Sequence, residues 1–374
     1  MRVAIIGAGI GGLTTALALQ RYNIKCTVYE SAADLQPIGA GIIMASNAMQ
    51  VYKHLGIDNT IRKAGNRISA MKITSPDLSV LSNADLTSYE QKYQQHNVAI
   101  HRGVLQRILL DAVGKENIIL GKRLTHINST HAGYRLGFED GDEAFTDYLI
   151  GADGIRSKVR TLLFKKSYLR NSGQVCWRGI CKFDTPQHYH YELNEAWGKG
   201  KRFGFVRIDN ENVYWYALAN TGKAEKNSSL LQLFQDFNPI ACQLIAATPA
   251  PAIFYAELYD LAPIARWHAE KVCLIGDAAH ATTPNLGQGA CQAIEDAYIL
   301  GELFGKHGDL TAAFTEYPSV RTKKANHIVM TSRTIGKLAH LENILAIKLR
   351  NLIMKATPKS VTQKQLDKIF TLEL

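Results

Sequence analysis

The stretch that decides the fold is Arg2-Val-Ala-Ile-Ile-Gly7, followed directly by Ala8-Gly9-Ile10-Gly11-Gly12. An apolar, β-branched run that ends in glycines and opens into a helix is typical of a βαβ unit that binds a dinucleotide. The glycines permit a tight turn and bring the backbone close to a pyrophosphate, while the helix N-terminus offers unpaired N–H groups to the phosphates. We therefore expect Gly7, Gly9, Gly11 and Gly12 to bind a cofactor.

An acidic residue stands where this interpretation needs one. The segment from Lys25 to Glu30 is typical of a second strand, and Glu30 ends it, 18 positions after Gly12. A carboxylate at the end of that strand can accept hydrogen bonds from a ribose diol. We place Glu30 and the neighbouring Ser31 in the cofactor site. The competing interpretation is a tight turn that binds nothing.

The composition is that of an ordinary globular protein. The chain has 374 residues, 46% hydrophobic and 20% charged, which excludes disorder over most of its length and favours two or three domains. The six cysteines form no Cys-x-x-Cys pair and no cluster with histidine. A disulfide scaffold and a structural metal site are therefore not expected.

The sequence shows no targeting or membrane-spanning segment. No apolar run reaches the roughly 18 residues that a transmembrane helix needs. The first apolar stretch, Val3 to Ile6, is too short for a signal peptide and opens directly into glycines. We therefore expect a cytoplasmic protein, monomeric or homodimeric, with no integral membrane segment.

Positive charge is concentrated near the C-terminus. The net charge is +10, and residues 318–374 hold eleven Lys and Arg against three Asp and Glu. A second basic patch comprises Arg156, Lys158, Arg160, Lys165, Lys166 and Arg170. We interpret both as solvated helix faces and expect no nucleic-acid partner, because no recognition motif or interleaved aromatics accompany them.

A leucine stripe over Leu338–Met354 has two interpretations. It comprises Leu338, Leu341, Leu345, Leu349 and Leu352, with basic residues nearby. A stripe at helical spacing normally packs on its own domain, and that is the expectation here. The alternative is contact of this basic C-terminal helix with a membrane surface.

The rest of the chain indicates a second, inserted unit. From Gln174 to Leu258 short alternating segments rich in aromatics predict a mostly antiparallel sheet, interrupted by a helix near Ser228–Phe237. Residues 71–97 are polar with few helix signals. The run Lys271–Ile275 is typical of a buried strand, and the chain beyond Gln288 is mostly helical.

The predicted fold class is therefore α/β, with a Rossmann-like domain of three ββα layers, an inserted antiparallel sheet and C-terminal helices. The predicted cofactor domain is discontinuous and comprises 1–70, 98–170 and 260–310. The substrate domain comprises 71–97 and 171–259, and the C-terminal helical region 311–374. A further hairpin is predicted from Tyr134–Phe138 and Ala144–Ile150 around Asp140-Gly-Asp142.

Two later motifs carry a family resemblance. Gly151-Ala-Asp153-Gly-Ile-Arg-Ser-Lys-Val-Arg160 is similar to the second signature of the group A flavoprotein monooxygenases. Gly276-Asp277-Ala-Ala-His280, continuing to Pro284-Asn-Leu-Gly-Gln-Gly289, is similar to the third. The order and spacing of the three motifs also match, as does Gly39-Ala-Gly41. The resemblance is strongest to the group of 3-hydroxybenzoate 6-hydroxylase, salicylate hydroxylase, FAD-dependent urate hydroxylase and zeaxanthin epoxidase.

The resemblance implies a cofactor and a reaction. Non-covalently bound FAD would be reduced by NADH or NADPH and would react with O2, and a flavin C4a-hydroperoxide would then hydroxylate an aromatic or heteroaromatic small molecule. No second Gly-x-Gly-x-x-Gly with βαβ context is present, which fits a nicotinamide that visits only transiently. The alternatives are an olefin epoxidase, a lipid or quinone hydroxylase, a flavin-dependent dehydrogenase or saturase that does not use O2, and a non-enzymatic flavin-binding module.

The resemblance also carries over individual residues. Further cofactor-binding positions are Gly41, Arg102, Leu124, Asp153, Asp277, Pro284, Gly287, Gln288, Gly289 and Ala290. The competing interpretations are a structural turn for Asp153, a surface arginine for Arg102 and a helix cap for Asp277. The dipole of the helix that starts at Ala290 would favour negative charge on the flavin. We expect His280 to be a packing residue.

Substrate-binding candidates are fewer and rest on a looser match. Alternation on the predicted strands places Arg202 and Tyr216 on sheet faces. The resemblance to the urate hydroxylase implies that they orient a polar or anionic aromatic substrate. Their competing interpretation is an ordinary sheet surface. Asn285 stands where the urate hydroxylase has an acid. An amide cannot act as a base, so this position keeps epoxidation and neutral substrates open. No catalytic residue is assigned.

Overall fold

The computed structural model describes residues 1–35, 40–164, 167–222 and 224–372. Gly39, which belongs to the predicted Gly39-Ala-Gly41 segment, lies outside the described residues. The strands are β1 Val3–Ile6, β2 Cys26–Tyr29, β3 Gly41–Met44, β4 Asn66–Ile68, β5 Ala70–Thr74, β6 Val80–Asp85, β7 Asn97–His101, β8 Ile118–Ile119, β9 Leu124–Ser129, β10 Tyr134–Phe138, β11 Glu143–Thr146, β12 Tyr148–Gly151, β13 Leu169–Lys182, β14 Glu192–Trp197, β15 Lys201–Arg207, β16 Asn212–Asn220, β17 Phe254–Leu261, β18 His268–Ala269 and β19 Val272–Leu274.

Helices connect many of the strands and make up most of the C-terminal region. They are α1 Ile10–Gln20, α2 Ser46–His54, α3 Asp58–Ala64, α4 Thr87–Tyr93, α5 Arg102–Val113, α6 Lys158–Leu163, α7 Leu230–Leu233, α8 Pro239–Ala246, α9 Asp277–His280, α10 Gly289–His307, α11 Leu310–Ala339, α12 Ile344–Ala356 and α13 Lys359–Phe370.

A mostly parallel sheet forms the first half of the fold, with strand order β18-β19-β12-β1-β2-β8. Its central strand β1 is buried along its whole length and pairs in parallel with β2 and β12. Helix α1 packs between this sheet and α10, so the N-terminal βαβ unit and the C-terminal helix share one core. The sheet confirms the predicted Rossmann-like class.

The predicted hairpin strand Ala144–Ile150 is two strands. β11 pairs with β10 in a small antiparallel sheet of order β11-β10-β9, whereas β12 joins the parallel sheet beside β1. The chain changes sheets at Asp147, whose carboxylate accepts the backbone N–H of Arg2 at 2.7 Å. A further small sheet, of order β3-β7-β4, carries Gly41.

The large sheet, of order β17-β13-β16-β15-β14-β5-β6, confirms the predicted inserted domain. One face buries aromatic side chains such as Phe203 and Trp215 under helices α7 and α8. Alternation turns the intervening residues toward the first domain. Residues 71–97 contribute β5, β6 and α4, because β5 extends this sheet in parallel with β14. A helix is present within the predicted range Ser228–Phe237, but α7 covers only four residues, and a second helix, α8, starts beyond Asn238, which caps it.

The C-terminal helices differ from the prediction between residues 338 and 354. The predicted helix Leu338–Met354 is interrupted, because α11 ends at Ala339 and Asn343 caps a new helix, α12. The side chains of Leu345, Leu349 and Leu352 are exposed, so the expectation that this stripe packs on its own domain was wrong. None of the helices in the described part of the chain is long and apolar enough to cross a bilayer.

Several basic residues assigned to solvated faces are interior. Arg160 and Arg321 are almost fully buried, and Arg170 pairs with the buried carboxylate of Asp260 at 2.7 Å. The prediction of solvated faces was wrong for these residues, because buried carboxylates and carbonyl oxygens need charged partners. Lys165 and Lys166 lie outside the described residues.

A buried charge cluster joins α10 to α11. Arg321 on α11 donates from Nε to Asp296 Oδ1 at 2.8 Å and lies 3.5 Å from Glu295 Oε2. Lys324, one turn along α11, donates to Glu295. All four side chains are buried. Removal of one member would leave an uncompensated charge in the core, which is far more costly than loss of a surface pair.

We expect Arg321→Met to destabilise the protein by about 3–5 kcal/mol, because it leaves Asp296 and Glu295 without their shared cation. Lys306→Met removes an exposed pair with Glu316 and serves as the control, with an expected cost of about 0–1 kcal/mol. Urea denaturation followed by far-UV circular dichroism measures both. Equal unfolding midpoints for the two variants would contradict a structural role for the cluster.

Candidate functional site

The glycine turn between β1 and α1 is closed by backbone contacts. Gly7 donates its N–H to the Tyr29 carbonyl at 2.8 Å and has a positive φ of +107°. A Cβ on Gly12 would lie 2.0 Å from the Gly7 carbonyl oxygen, so only glycine lets the helix begin this close to the strand. Gly9 faces open space, and Gly11 packs against Ala293 of α10. The turn thus leaves the N-terminus of α1 open to a ligand.

A cavity of about 360 Å³ lies beside this turn. Its wall consists of Gly9, Glu30, Ala32, Asp34, Leu35, Arg102, Gly103 and Gln106. Glu30 holds the turn as well, since its Oε2 accepts the Ala8 N–H at 2.8 Å and its Oε1 accepts the Ala32 N–H at 2.9 Å. Ser31 is exposed and donates to the same carboxylate at 3.1 Å. A carboxylate and a guanidinium on one wall suit a ligand that carries both hydroxyl and phosphate groups.

Asp153 of the second motif acts on its own loop. Its Oδ2 accepts the backbone N–H groups of Lys158 at 2.6 Å and Val159 at 3.1 Å, at the start of α6. Burial raises the pKa of this carboxyl group. Its Oδ1 is buried and makes no hydrogen bond within the described residues. The geometry thus supports the structural interpretation of Asp153, while a contact of Oδ1 with a cofactor stays a prediction.

Arg160 ties the second motif to the third. Its buried guanidinium donates to the Ile155 carbonyl at 2.6 Å and to the Ala278 carbonyl at 2.8 Å. Ser157 caps α6 by accepting the N–H of Arg160. One side chain therefore fixes the distance between the two segments, so both reach the carboxyl edge of the parallel sheet together.

Asp277 starts α9 directly after β19 and lies in a cleft where solvent reaches it. The surrounding protein raises the pKa of its carboxyl group by desolvation, an effect that the positive charges of His280, Arg102 and Arg160 oppose. The cleft wall thus carries an acid flanked by two arginines. Such an acid can accept hydrogen bonds from ligand hydroxyl groups.

His280 is a packing and positioning residue. It lies 2.5 Å from Asp296 through Nε2, and its ring packs against Trp267. Asp296 also accepts the Gly276 N–H at 2.8 Å. Burial alone raises the pKa of Asp296, but His280 and Arg321 outweigh it and hold that pKa well below its usual range.

The segment between α9 and α10 presents backbone rather than side chains. A single helical turn, Pro284–Leu286, leads into Gly287, which has left-handed backbone. The Gln288 side chain is buried and accepts from Asn47 at 3.1 Å and from Gln292 at 3.2 Å, so it points away from the cleft. Space for a Cβ remains at Gly287 and Gly289. Ala290 packs against the core, and α10 starts here with its N–H groups free.

Gly41 and Leu124, two further predicted cofactor residues, have different positions in the fold. Gly41 on β3 approaches Tyr214 so closely that a Cβ would lie 2.4 Å from the ring. Leu124 begins β9 with its side chain buried in the core, so any contact it makes with a cofactor would involve its backbone.

The three substrate candidates converge on one cluster, on the face of the large sheet that looks toward the first domain. Arg202 is 1% exposed; it donates from Nη1 to Glu195 Oε1 at 3.1 Å and from Nη2 to Asn285 Oδ1. The hydroxyl of Tyr216 donates to Glu195 Oε2 at 2.5 Å. Trp197 donates its indole N–H to Glu195 Oε1 at 2.6 Å. Arg202, Tyr216, Asn285, Glu195 and Trp197 are called the Glu195 cluster below.

A glycine makes the cluster possible. Gly204 lies on β15 between Glu195 on β14 and Tyr216 on β16 in the strand register. A Cβ there would lie 2.2 Å from the Tyr216 ring, so the ring crosses β15 only because residue 204 has no side chain. Asn285 completes the contact to α11, because its Nδ2 donates to the Ser332 carbonyl at 2.7 Å.

Sequence reasoning missed Glu195, Trp197, Asp296 and Glu295. Glu195 alternates on its strand with buried neighbours, and that alternation was the one signal available for it. Asp296 and Glu295 lie inside a helix without a motif of their own, so only tertiary contacts reveal them.

The residues fit FAD. The cavity places a carboxylate, Glu30, beside an open glycine turn, as a ribose and pyrophosphate require. Asp277 lies beside the N-terminus of α10, since its Oδ1 is 4.0 Å from where a Cβ on Gly289 would stand. The donor set contains hydroxyl-binding acids and free helix N–H groups, and no described group of three or more His, Cys, Asp or Glu could hold a metal ion.

Comparison with known proteins supports this geometry. A family model described as FAD binding domain matches residues 1–329. The aurachin C monooxygenase/isomerase of Stigmatella aurantiaca is 37% identical over 360 residues, which cover 95% of this chain and 94% of that protein. The 2-heptyl-3-hydroxy-4(1H)-quinolone synthase of Pseudomonas aeruginosa is 31% identical over 384 residues, which cover 99% and 98%.

A solved structure agrees in fold over the whole chain. HpxO of Klebsiella pneumoniae, complexed with FAD and uric acid, has a TM-score of 0.90 and 28% identity, and the match covers 99% of this chain and 96% of that one. The resemblance drawn from the three motifs is thus confirmed. The protein belongs to the FAD binding domain family and is an oxidoreductase of the FAD-dependent monooxygenase type.

Proposed function

We propose that this protein uses NAD(P)H and O2 to hydroxylate a neutral heteroaromatic small molecule at the Glu195 cluster. The observation that carries the proposal is the pairing of Arg202 with Glu195. A guanidinium that already has a carboxylate partner offers little net charge to an anionic substrate. The initial hypothesis of an anionic aromatic substrate is therefore replaced by a neutral one that is recognised through hydrogen bonds.

The relatives point in the same direction. The name of the Pseudomonas enzyme describes a product with a hydroxylated quinolone ring and a heptyl chain. Such a ring is neutral, has a carbonyl and an N–H, and adjoins an apolar chain. The face that carries the Glu195 cluster also carries apolar residues, including Ile180, Leu193 and Val206. A heteroaromatic ring with an apolar substituent would satisfy both parts of this surface.

Each residue of the cluster has a distinct task in this proposal. Glu195 holds Arg202, Tyr216 and Trp197 in place through one accepted hydrogen bond each. Arg202 Nε stays buried and without a partner among the described residues. That N–H can donate to a ring carbonyl and draw the substrate against the sheet. Asn285 offers an amide and no base, so it orients the ring without taking a proton.

Bound FAD supplies the redox chemistry, in which NAD(P)H is the reductant and O2 provides the oxygen atom. Glu30 and Asp277 would hold its hydroxyl groups, and the N-termini of α1 and α10 would offer N–H groups to its negatively charged parts. The protein must also exclude water from the substrate, since uncoupled turnover yields H2O2. The apolar sheet face and the buried cluster serve that purpose.

The cofactor site is tested by Glu30→Ala and Asp277→Ala. Each variant removes an acceptor for FAD hydroxyl groups, and we expect the affinity for FAD to fall by about 1–3 kcal/mol. Titration by flavin fluorescence measures the dissociation constant. Glu139→Ala, an exposed carboxylate near Arg123, is the control and should bind FAD like the parent. Unchanged affinity in both test variants would place FAD elsewhere.

The substrate class is tested by uncoupling the Arg202–Glu195 pair. In Glu195→Gln the guanidinium of Arg202 keeps its charge and loses its counter-charge. We therefore expect the ratio of kcat/KM for a carboxylated 4-quinolone to kcat/KM for the neutral compound to rise by about tenfold or more, equivalent to ~1.4 kcal/mol. Tyr216→Phe is the matched control, because it removes a hydrogen bond to the same carboxylate without changing charge. Steady-state NAD(P)H oxidation with both compounds gives the ratio.

Two results would argue against a neutral substrate. A parent enzyme that already prefers the carboxylated analogue would show that Arg202 is available to anions. An unchanged preference in Glu195→Gln, with FAD content equal to the parent, would show that the cluster lies outside the substrate site.

A further inference from the structure

Helix α12 exposes an apolar face that no described part of the chain covers. Ile344, Leu345, Leu349, Leu352 and Ile353 are each between 57% and 71% exposed. Residues 345, 349, 352 and 353 fall on one side of the helix at 3.6 residues per turn. Clustered exposure of five large aliphatic side chains marks an interaction surface rather than ordinary scatter.

The charged residues of helix α12 itself are all basic. From 343 to 366 the sequence holds five basic residues and no acidic one. Lys348, Lys355, Lys359 and Lys364 are exposed. Helical spacing places Lys348 and Lys355 along the edge of the apolar stripe. An apolar stripe bordered by lysines has the composition of a helix that lies in a membrane interface.

The opposite side of α12 is fixed to the protein. Arg350 is buried and donates to the carbonyl oxygens of Leu338 at 3.1 Å and Ala339 at 3.3 Å, at the end of α11. Its guanidinium also stacks on the Trp197 ring, 5.3 Å from the centroid. The apolar stripe therefore cannot turn inward, because Arg350 holds the inner face.

We propose that α12 docks this protein on an anionic lipid bilayer, with Leu345, Leu349, Leu352 and Ile353 in the acyl boundary and the lysines on the headgroups. A second copy of the chain fits less well. A twofold contact between two α12 helices would bring Lys348 and Lys355 of both copies together, with no acidic residue in 343–366 to compensate them. An anionic surface compensates all of them.

The docking surface adjoins the substrate site. Arg350 stacks on Trp197, and Trp197 donates to Glu195. The inner side of α12 is thus linked to the Glu195 cluster through two consecutive side chains. Docking itself needs no turnover and is tested independently of the proposed hydroxylation.

Flotation of the full-length holoenzyme with lipid vesicles tests the proposal. Vesicles of phosphatidylcholine alone are compared with vesicles that contain one quarter phosphatidylglycerol, at low and at physiological salt. We expect binding to the anionic vesicles, weakened by salt. The double substitution Leu345→Glu with Leu349→Glu should reduce binding by about tenfold or more, and both positions are exposed, so the fold tolerates them.

Controls separate the apolar and the electrostatic parts. Leu231→Glu changes an exposed leucine of α7 and should bind like the parent. Lys348→Gln with Lys355→Gln should weaken binding to anionic vesicles and leave FAD content unchanged. Equal binding of the parent and the Leu345/Leu349 variant would overturn the proposal. Light scattering without vesicles gives a second test. A dimer of the parent that becomes a monomer in the Leu345/Leu349 variant would also overturn the proposal, because the face would then bind a second copy.

Discussion

The carboxylate of Asp296 is the contact on which the arrangement of the site depends. It accepts the N–H of Gly276 at the end of the parallel sheet, pairs with His280 on α9 and binds Arg321 on α11. Because Asp296 itself lies on α10, one buried group joins four elements. The segment from Gly276 to the start of α10 carries Asp277 and Gly287–Gly289. The position of this segment is therefore set by buried charged groups that contact no ligand.

The proposed substrate face is built on a second compensated charge. Arg202 and Glu195 lie on adjacent strands of the large sheet, and Asn285 reaches them from the segment that Asp296 positions. The two buried groups of charges thus meet at Asn285. We expect substitutions in the Asp296 group to alter the geometry of the Arg202–Glu195 pair, since α11 holds Asn285 through the Ser332 carbonyl. This coupling explains how a sheet in one domain and a loop in another form a single site.

Local sequence was enough to predict the cofactor and the βαβ turn beside Glu30. A strand, a glycine turn, a helix and Glu30 follow one another in the chain, so their geometry is determined by neighbours. The motifs at Gly151 and Gly276 gave the family for the same reason. Glu195 acts across neighbouring strands and Asp296 through helix packing, so no local pattern marks either residue. Arg160 ends the second motif, but its contact with the Ala278 carbonyl, 118 residues away, depends on the tertiary fold. The helix break at 340–343 was missed because a continuous leucine spacing masked the cap at Asn343.

The exposure of α12 shows the limit of periodicity. A leucine stripe indicates that one side of a helix is apolar. Whether that side is buried in a core or exposed depends on which other elements pack against it. Here Arg350 takes the inner position, and the leucines are left outside. The same helix therefore contributes to the fold by its charged residue and exposes its apolar ones.

Turnover of a neutral 4-quinolone under isotopically labelled O2 tests the central claim most directly. We expect NAD(P)H oxidation to accelerate when the compound is added, and mass spectrometry to find one labelled oxygen atom in a hydroxylated product. Label that appears only in H2O2, or a product oxidised without gain of oxygen, would contradict the claim that this protein is a heteroaromatic hydroxylase.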